Sequence, residues 1–276
     1  MRSPTADRRV TLAAGALRRL GDEAGVQTWP VVLDMWSASD DADELAAAEA
    51  EADRDLRDLG VVEGGEPIAW MATALRVLGA AERQLEIRTM TSATSEGDVP
   101  RMRRVCLARN GHDHVLAARD GATVDVRLVD INSADEVGGF VARDLDSGAP
   151  PASFAGFSAP ADDLAGRLAD CTSAHQAADA LHALGAPGSD AVVIAAALMS
   201  CHTRSEIVAV SWSGGLSTQS SGALAVFDTD RGRVVASPSK SPDGRVWTTL
   251  SPGGGHRIAQ AVGLLIETLP EGRWMP

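Results

Sequence analysis

Ser237-Pro-Ser-Lys240 comes nearer to catalytic machinery than any other segment of the chain: a serine followed three residues later by a lysine matches S-x-x-K, in which the lysine can activate a nucleophilic hydroxyl. That chemistry needs the serine at a helix N-terminus with the lysine one turn on, whereas Pro238 and Pro242 point to a turn. No G-x-S-x-G elbow occurs. His112-Asp-His114 could aim two imidazoles at a metal, because residues two apart on a strand share a face. His112, however, falls in the turn after Asn110-Gly111, and no carboxylate or cysteine cluster supplies further ligands. Cys201-His202 reads as a lone pair at a helix end. Ser251-Pro-Gly-Gly-Gly255 runs into a helix whose amides would attract an anion, yet it lacks the Walker lysine and the G-x-G-x-x-G spacing. These sets read as turn and surface residues, so the sequence predicts no catalytic residue, metal or cofactor. A serine hydrolase using Ser237 and Lys240 is the enzymatic alternative, and a self-associating assembly component is a second.

What remains is binding. Sheets built from hairpins often cover one face with helices and leave the other available, and large rigid side chains dominate interface energetics. The expected contact residues are Ser211, Trp212, Phe227, Val235, Trp247 and Thr249, with Trp212 beside a Ser/Gly loop. The segment Thr91 to Pro100, including Ser95 and Gly97, offers only Val99 as an anchor and is expected to be a mobile loop.

Charge narrows the partner. A formal net charge of −13 and a pI near 4.8 repel nucleic acid and anionic membranes, and Arg101-Met-Arg-Arg104 is too small a basic stripe to reverse that. The 3 cysteines, Cys106, Cys171 and Cys201, form no CxxC pair and fit a reducing cytosol. The first residues lack an apolar leader, and the longest apolar run, Ala191 to Met199, is too short to span a bilayer, so a cytoplasmic protein is expected.

The elements that would position these residues come in a repeated order. Helical periodicity starts around Leu12, Leu17 and Leu20 and ends at Gly25; a strand is expected at Val31 to Leu33. An acidic helix from Ser39 to Leu59 carries Leu45, Ala48, Ala52, Leu56 and Leu59, and Pro67 opens another with Ile68, Ala72, Leu75 and Leu78 inward. Gln84 to Met90 alternates as a strand, Asn110-Gly111 and Asp120-Gly121 mark hairpin turns, and Ala134 to Leu145 is a helix. Beyond Gly148-Ala-Pro-Pro151, helices are expected over Ser158 to Ala169, Ser173 to Leu184 and from a cap at Ser189 to Met199. A strand over Glu206 to Trp212, a hairpin from Ala223 to Ser237, a strand over Arg245 to Leu250 and a last helix with Ile258, Val262, Leu265, Ile266 and Leu269 on one stripe follow. Laying Val105 to Gly111 over Leu224 to Asp230 sets His114 against Arg233, with an insertion around Pro238 to Pro242 in the second copy. The expected organisation is an N-terminal half, 1–150, and a C-terminal half, 151–276, sharing one central sheet in a single compact unit.

The ordered wording of the chain resembles the EspG family. The likeness runs through Arg9-Val-Thr-Leu12, Val26-Gln-Thr-Trp-Pro30, Leu56-Arg-Asp-Leu-Gly-Val-Val62, Ala81-Glu-Arg-Gln-Leu-Glu-Ile-Arg88 and Val105 to Ala118. It is strongest from Phe227 to Val235, from Asp243 to Gly253, and in the helix opening Arg257-Ile-Ala-Gln-Ala261 and ending Leu269-Pro270. The resemblance implies an α+β (mixed α/β), quasi-two-fold fold with a central, mostly antiparallel sheet and two helical bundles. It implies a cytosolic chaperone of type VII (ESX) secretion in actinobacteria that binds the PPE tip of a PE/PPE heterodimer, as a monomer or weak homodimer. The partner surface would be Ser205 to Leu250 and Asp162 to Ser200, and the loop over Thr91 to Pro100 is mobile in relatives. The chain departs at Ala80-Ala81, where relatives often have an Arg-Pro type pair.

Overall fold

The computed structural model describes residues 8–36, 42–93 and 97–276, with backbone alone over 42–46. The first half runs β1 (Arg9–Ala13), α1 (Ala14–Glu23), a 3-10 turn (Val31–Leu33), α2 (Ala42–Asp58), β2 (Val62–Glu63), β3 (Glu66–Pro67) and α3 (Ala69–Gly79). It continues with β4 (Arg83–Thr91), β5 (Arg101–Asn110), β6 (Asp113–Asp120), β7 (Thr123–Val129) and α4 (Ala134–Asp144). The second half runs β8 (Phe157–Pro160), α5 (Ala161–Ala169), α6 (Ala174–Ala183), α7 (Gly188–Met199), β9 (Cys201–Ser213) and β10 (Leu216–Gln219). Last come β11 (Leu224–Thr229), β12 (Val234–Lys240), β13 (Val246–Pro252) and α8 (Gly255–Glu267).

Strands of both halves lie in one 11-stranded sheet ordered β1-β7-β6-β5-β4-β9-β11-β12-β13-β8, with β10 also against β9. Every ladder in it is antiparallel, and the halves meet at β4 and β9, where Ile87 lies opposite Ile207. Moving outward from that seam, each strand of the first half has its counterpart in the second. An edge strand precedes each helical group, and one helix follows each set of hairpins.

The two faces of this sheet are covered differently. Alternation along the strands sends Leu85, Ile87, Ile207 and Ala209 to one face, where α4 and α8 bury them with Val137, Val141, Ile258, Val262 and Leu265. The two helices meet closely at Gly138, where a Cβ would sit 2.4 Å from the carbonyl oxygen of Ala259. Burying Ile258, Val262, Leu265, Ile266 and Leu269 contributes on the order of 10 kcal/mol of gross transfer free energy. On the other face, α1 to α3 pack Leu17, Leu20, Met71 and Leu75 over Cys106, Ala108 and Val115. Helices α5 to α7 pack Leu164, Leu181 and Ile194 over Ala225, Ala236 and Leu250. Between these two bundles no helix of the described residues lies over β4 and β9, and that gap holds the candidate site.

Several local expectations are corrected. Val31–Leu33 is a 3-10 turn and not a strand, because a turn buries the consecutive Val32 and Leu33 together while strand alternation would expose one. Pro67 does not open a helix: it pairs with Val62 across Gly64-Gly65, both at positive φ, and the helix begins at Ala69. Of the expected acidic stripe only Ala52 and Leu56 are buried; Ala48 and Leu59 are exposed, the Leu45 side chain lies outside the described residues, and so does Ser39. Ala72 is exposed, and Met71 takes its place inside. Ser189 caps nothing, since α7 follows Pro187. Ser133 and Ser173 do cap, accepting from the amides of Glu136 and Gln176, whose side chains reach back to the amides of Asn132 and Thr172 at 2.9 Å. Leu12 lies in β1, Ser158 in β8, and Pro238 to Lys240 continue β12 instead of forming an insertion loop. Among the described residues no helix is long and apolar enough to cross a membrane.

Candidate partner-binding groove

The sets that suggested chemistry are scattered by the fold. Ser237 is buried in β12, its hydroxyl 3.5 Å from the carbonyl of Thr249, while Lys240 is exposed three residues along, on the opposite side of the strand. His114 is buried and has both ring nitrogens occupied, by the carbonyl of His112 at 3.1 Å and the indole nitrogen of Trp274 at 3.0 Å. Cys201 opens β9 and points its thiol to the carbonyl of Thr203, with His202 beside the Thr203 hydroxyl at 3.3 Å. Among the described residues no group of His, Cys, Asp and Glu could hold a metal. The glycines before α8 answer to packing: a Cβ on Gly253 would lie 2.3 Å from Cγ of Arg233.

A groove of about 710 Å³ opens where the sheet is bare. Its floor is Gln84, Glu86 and Arg88 of β4 beside Val208, Val210 and Trp212 of β9, residues that face one another in register, Glu86 opposite Val208 and Gln84 opposite Val210. One wall is Trp29, Pro30 and Val31. The Trp29 ring lies over Gly21, where a Cβ would come within 2.2 Å of the indole. The other wall is the turn Ser213-Gly-Gly215 leading into β10, whose Ser217 and Gln219 line the groove opposite Trp212 and Val210. Val31 at 73% and Trp212 at 41% add exposed apolar surface across the gap. Toward the far end of β9, Arg204 pairs with Glu206 and lies 5.7 Å from the Phe227 ring centroid. Glu86 is the buried charge on this floor; burial raises its carboxyl above the ordinary value, against the nearby Arg88 and the amide of Val32.

The expected contact residues divide between the two faces. Trp212 lines the groove, and Phe227, paired with Arg204, shares its face at the margin of the C-terminal bundle. Ser211 and Val235 are buried on the opposite face and offer no surface to a partner. Trp247 and Thr249 point to that same far side, Thr249 bonded to the Ser158 hydroxyl at 2.8 Å. Thr91 ends β4 with its hydroxyl 3.3 Å from that of Thr203, Gly97 has positive φ, Pro100 precedes β5, and Ser95 lies outside the described residues. Sequence reasoning missed Gln84, Glu86, Val208 and Val210, since alternation on a strand names two faces without saying which one a helix covers. It also missed β10, whose Gly214-Gly215 turn is itself a two-residue hairpin signal.

The model of the EspG family matches residues 13–263. The chain belongs to the EspG family. Two EspG relatives align over 93% of the chain and 86% of their own length. They are the ESX-3 secretion-associated protein EspG3 of Mycolicibacterium smegmatis, 29% identical over 264 residues, and the ESX-1 secretion-associated protein EspG1 of Mycobacterium tuberculosis, 32% identical over 260. Among solved structures, the type VII secretion system chaperone EspG5 of Mycobacterium tuberculosis, in complex with the PE25-PPE41 dimer, superposes with a TM-score of 0.80. At 18% identity, over 96% of this chain and 98% of that one, the likeness shows a shared EspG fold, the mixed, quasi-two-fold architecture expected from the sequence.

Proposed function

We propose that this EspG chain is a cytoplasmic chaperone of type VII (ESX) secretion that receives the apolar PPE tip of a PE/PPE heterodimer in the groove between its bundles. It keeps the dimer soluble, delivers it to the secretion machinery, and works by binding, without catalysis. The observation that carries this reading is the bare stretch of β4, β9 and β10, with Val31 and Trp212 exposed around a preformed concavity. Masking an apolar tip needs such a surface, and an acidic body keeps the assembly from aggregating. The names of the EspG1 and EspG3 relatives and the EspG5 complex support it. Val192 and Met199 of α7, also exposed, would extend the contact onto the C-terminal bundle.

The test is size exclusion of the chain mixed with each co-expressed PE/PPE pair of its own genome, where one pair should shift to a heterotrimer. Trp212→Arg should weaken that complex about 30-fold or more, as loss of a central aromatic contact does, while leaving the melting temperature of the free chain unchanged. Early melting of this variant would make the ring a structural group. Failure of every pair to bind would remove the reading.

A further inference from the structure

We infer that Glu86 is a specificity contact of the groove, and that the client segment seated there carries a lysine or arginine that pairs with its carboxylate. The inference rests on the chaperone reading and names the chemistry that the client must bring.

Glu86 stands on the floor between two apolar rows, Val208 and Val210 on one side and the Trp29 to Val31 wall on the other. The residue is 7% exposed, and what it does expose is in the groove. A carboxylate can accept about four hydrogen bonds. This one has the amide of Val32 and the field of Arg88, two residues along the same strand, and burial weighs against its ionised form more than these favour it. Among the described residues no arginine or lysine closes an ion pair with it, whereas Glu82 beside the groove has Arg109 at 2.8 Å and Glu206 has Arg204. In the free chain, water in the groove can solvate the remaining lone pairs. A client that fills the groove removes that water. An apolar client would leave the carboxylate buried and unpaired, which opposes binding; a client with a cation at that point satisfies it. The same residue that penalises a purely apolar intruder therefore admits one with a basic side chain among its apolar ones.

The charged and titratable groups around Glu86 are few enough to make the proton linkage legible. On β4 there is Arg88; opposite on β5 the buried Cys106 thiol, itself pushed well up; on β9 Glu206, opposite Arg88; and past the Val32 amide Asp34, held by Arg104 at 3.2 Å. A client cation lowers the Glu86 pKa from its raised free-state position. Affinity is therefore full above the free-state pKa and falls as pH drops through it, because protonated Glu86 no longer attracts the cation.

The experiment uses the full chain and the PE/PPE heterodimer that forms the heterotrimer with it. Glu86→Gln keeps shape and polarity and removes charge; it should weaken binding about tenfold or more at neutral pH and leave the melting temperature of the free chain equal or higher. Replacing the client's tip lysine or arginine by methionine should weaken the wild-type complex and change the Glu86→Gln complex little. The affinity ratio of wild type to Glu86→Gln should shrink as pH falls. Unchanged affinity of Glu86→Gln beside a broken Trp212→Arg complex would overturn the inference and leave the chaperone reading standing. Weakened binding accompanied by early melting would overturn it too, making Glu86 an anchor for the Val32 turn. If wild type binds no PE/PPE pair, both fall together.

Discussion

Arg233→Met should cost about 3–5 kcal/mol of unfolding free energy, seen as a lower urea midpoint and a melting temperature lower by roughly 10 °C. Arg233 is buried at the turn between β11 and β12. Its guanidinium nitrogens Nε and Nη2 both donate to the Asp228 carboxylate, the second at 3.2 Å. Nη2 also donates to the carbonyl of Leu145 at 2.8 Å and to the Ser147 hydroxyl, at the end of α4. The backbone makes the same connection: the Arg233 amide donates to the carbonyl of Pro150 at 2.7 Å, and its carbonyl accepts from Ala152 at 2.9 Å and Gly253 at 2.8 Å. One residue thus ties the segment joining the halves to the last strand and helix. Methionine fills much of the volume but leaves the buried Asp228 side chain without its guanidinium partner, and that loss dominates. The double variant Arg233→Met with Asp228→Leu should therefore lose less than the single one. A single variant with the wild-type midpoint would mean that water takes over the cluster.

The parts of this fold that could be read from sequence are those decided within a few residues. Asn110-Gly111 and Asp120-Gly121 sit at hairpin turns with positive φ at both glycines, because only there does the strand twist match the turn. Ser133 and Ser173 cap helices because hydroxyl and amide are three residues apart. The α8 stripe is legible because a 3.6-residue period needs no partner to be seen. The edge strands were hidden for the opposite reason: β1 acquires its ladder from β7 and β8 from β13, far along the chain, and nothing local distinguishes them from helix leads. Val31–Leu33 shows tertiary burial overriding β-branched propensity.

The groove was half legible. A strand tryptophan beside a Ser/Gly loop pointed to Trp212, and the placement of Ser211 shows how narrow that inference is, since one residue's offset on β9 moves a side chain from open groove to buried core. Val235 fails likewise, because α8 covers its face. The internal repeat carries a subtler lesson. Aligning the halves put His114 against Arg233, and each proves to be a buried polar residue that fastens a distant piece of chain, His114 near the start of β6 and Arg233 just before β12, with different chemistry in each copy.

At His114 that fastening is titratable, and it gives the second large effect. Trp274→Ala should cost about 3–5 kcal/mol, the range for emptying a buried tryptophan site. Trp274 is fully buried under β6 beside Leu269, its ring stacked with His114 at 6.2 Å between centroids and 22° between planes. Arg83 holds the same segment through an ion pair to Glu271 and a bond to the carbonyl of Arg273 at 3.3 Å. The Trp274 indole can only donate, so Nε2 of His114 must accept, and Nδ1 carries the proton toward the carbonyl of His112. Protonating Nε2 would set two donors against each other. Burial lowers the His114 pKa below 6.5; the His112 carbonyl and Asp113 oppose the shift, and the charges of Arg109 and His112 assist it. The unfolded chain thus binds a proton more readily than the folded one between the two pKa values. Stability contributed here is full above 6.5 and is lost as pH falls through that value toward the folded-state pKa. His114→Gln retains an acceptor for the indole without a group that titrates. Urea midpoints of the wild type should fall from about pH 7 to about pH 5 more steeply than those of His114→Gln, and parallel curves would show that the Trp274 contact survives protonation.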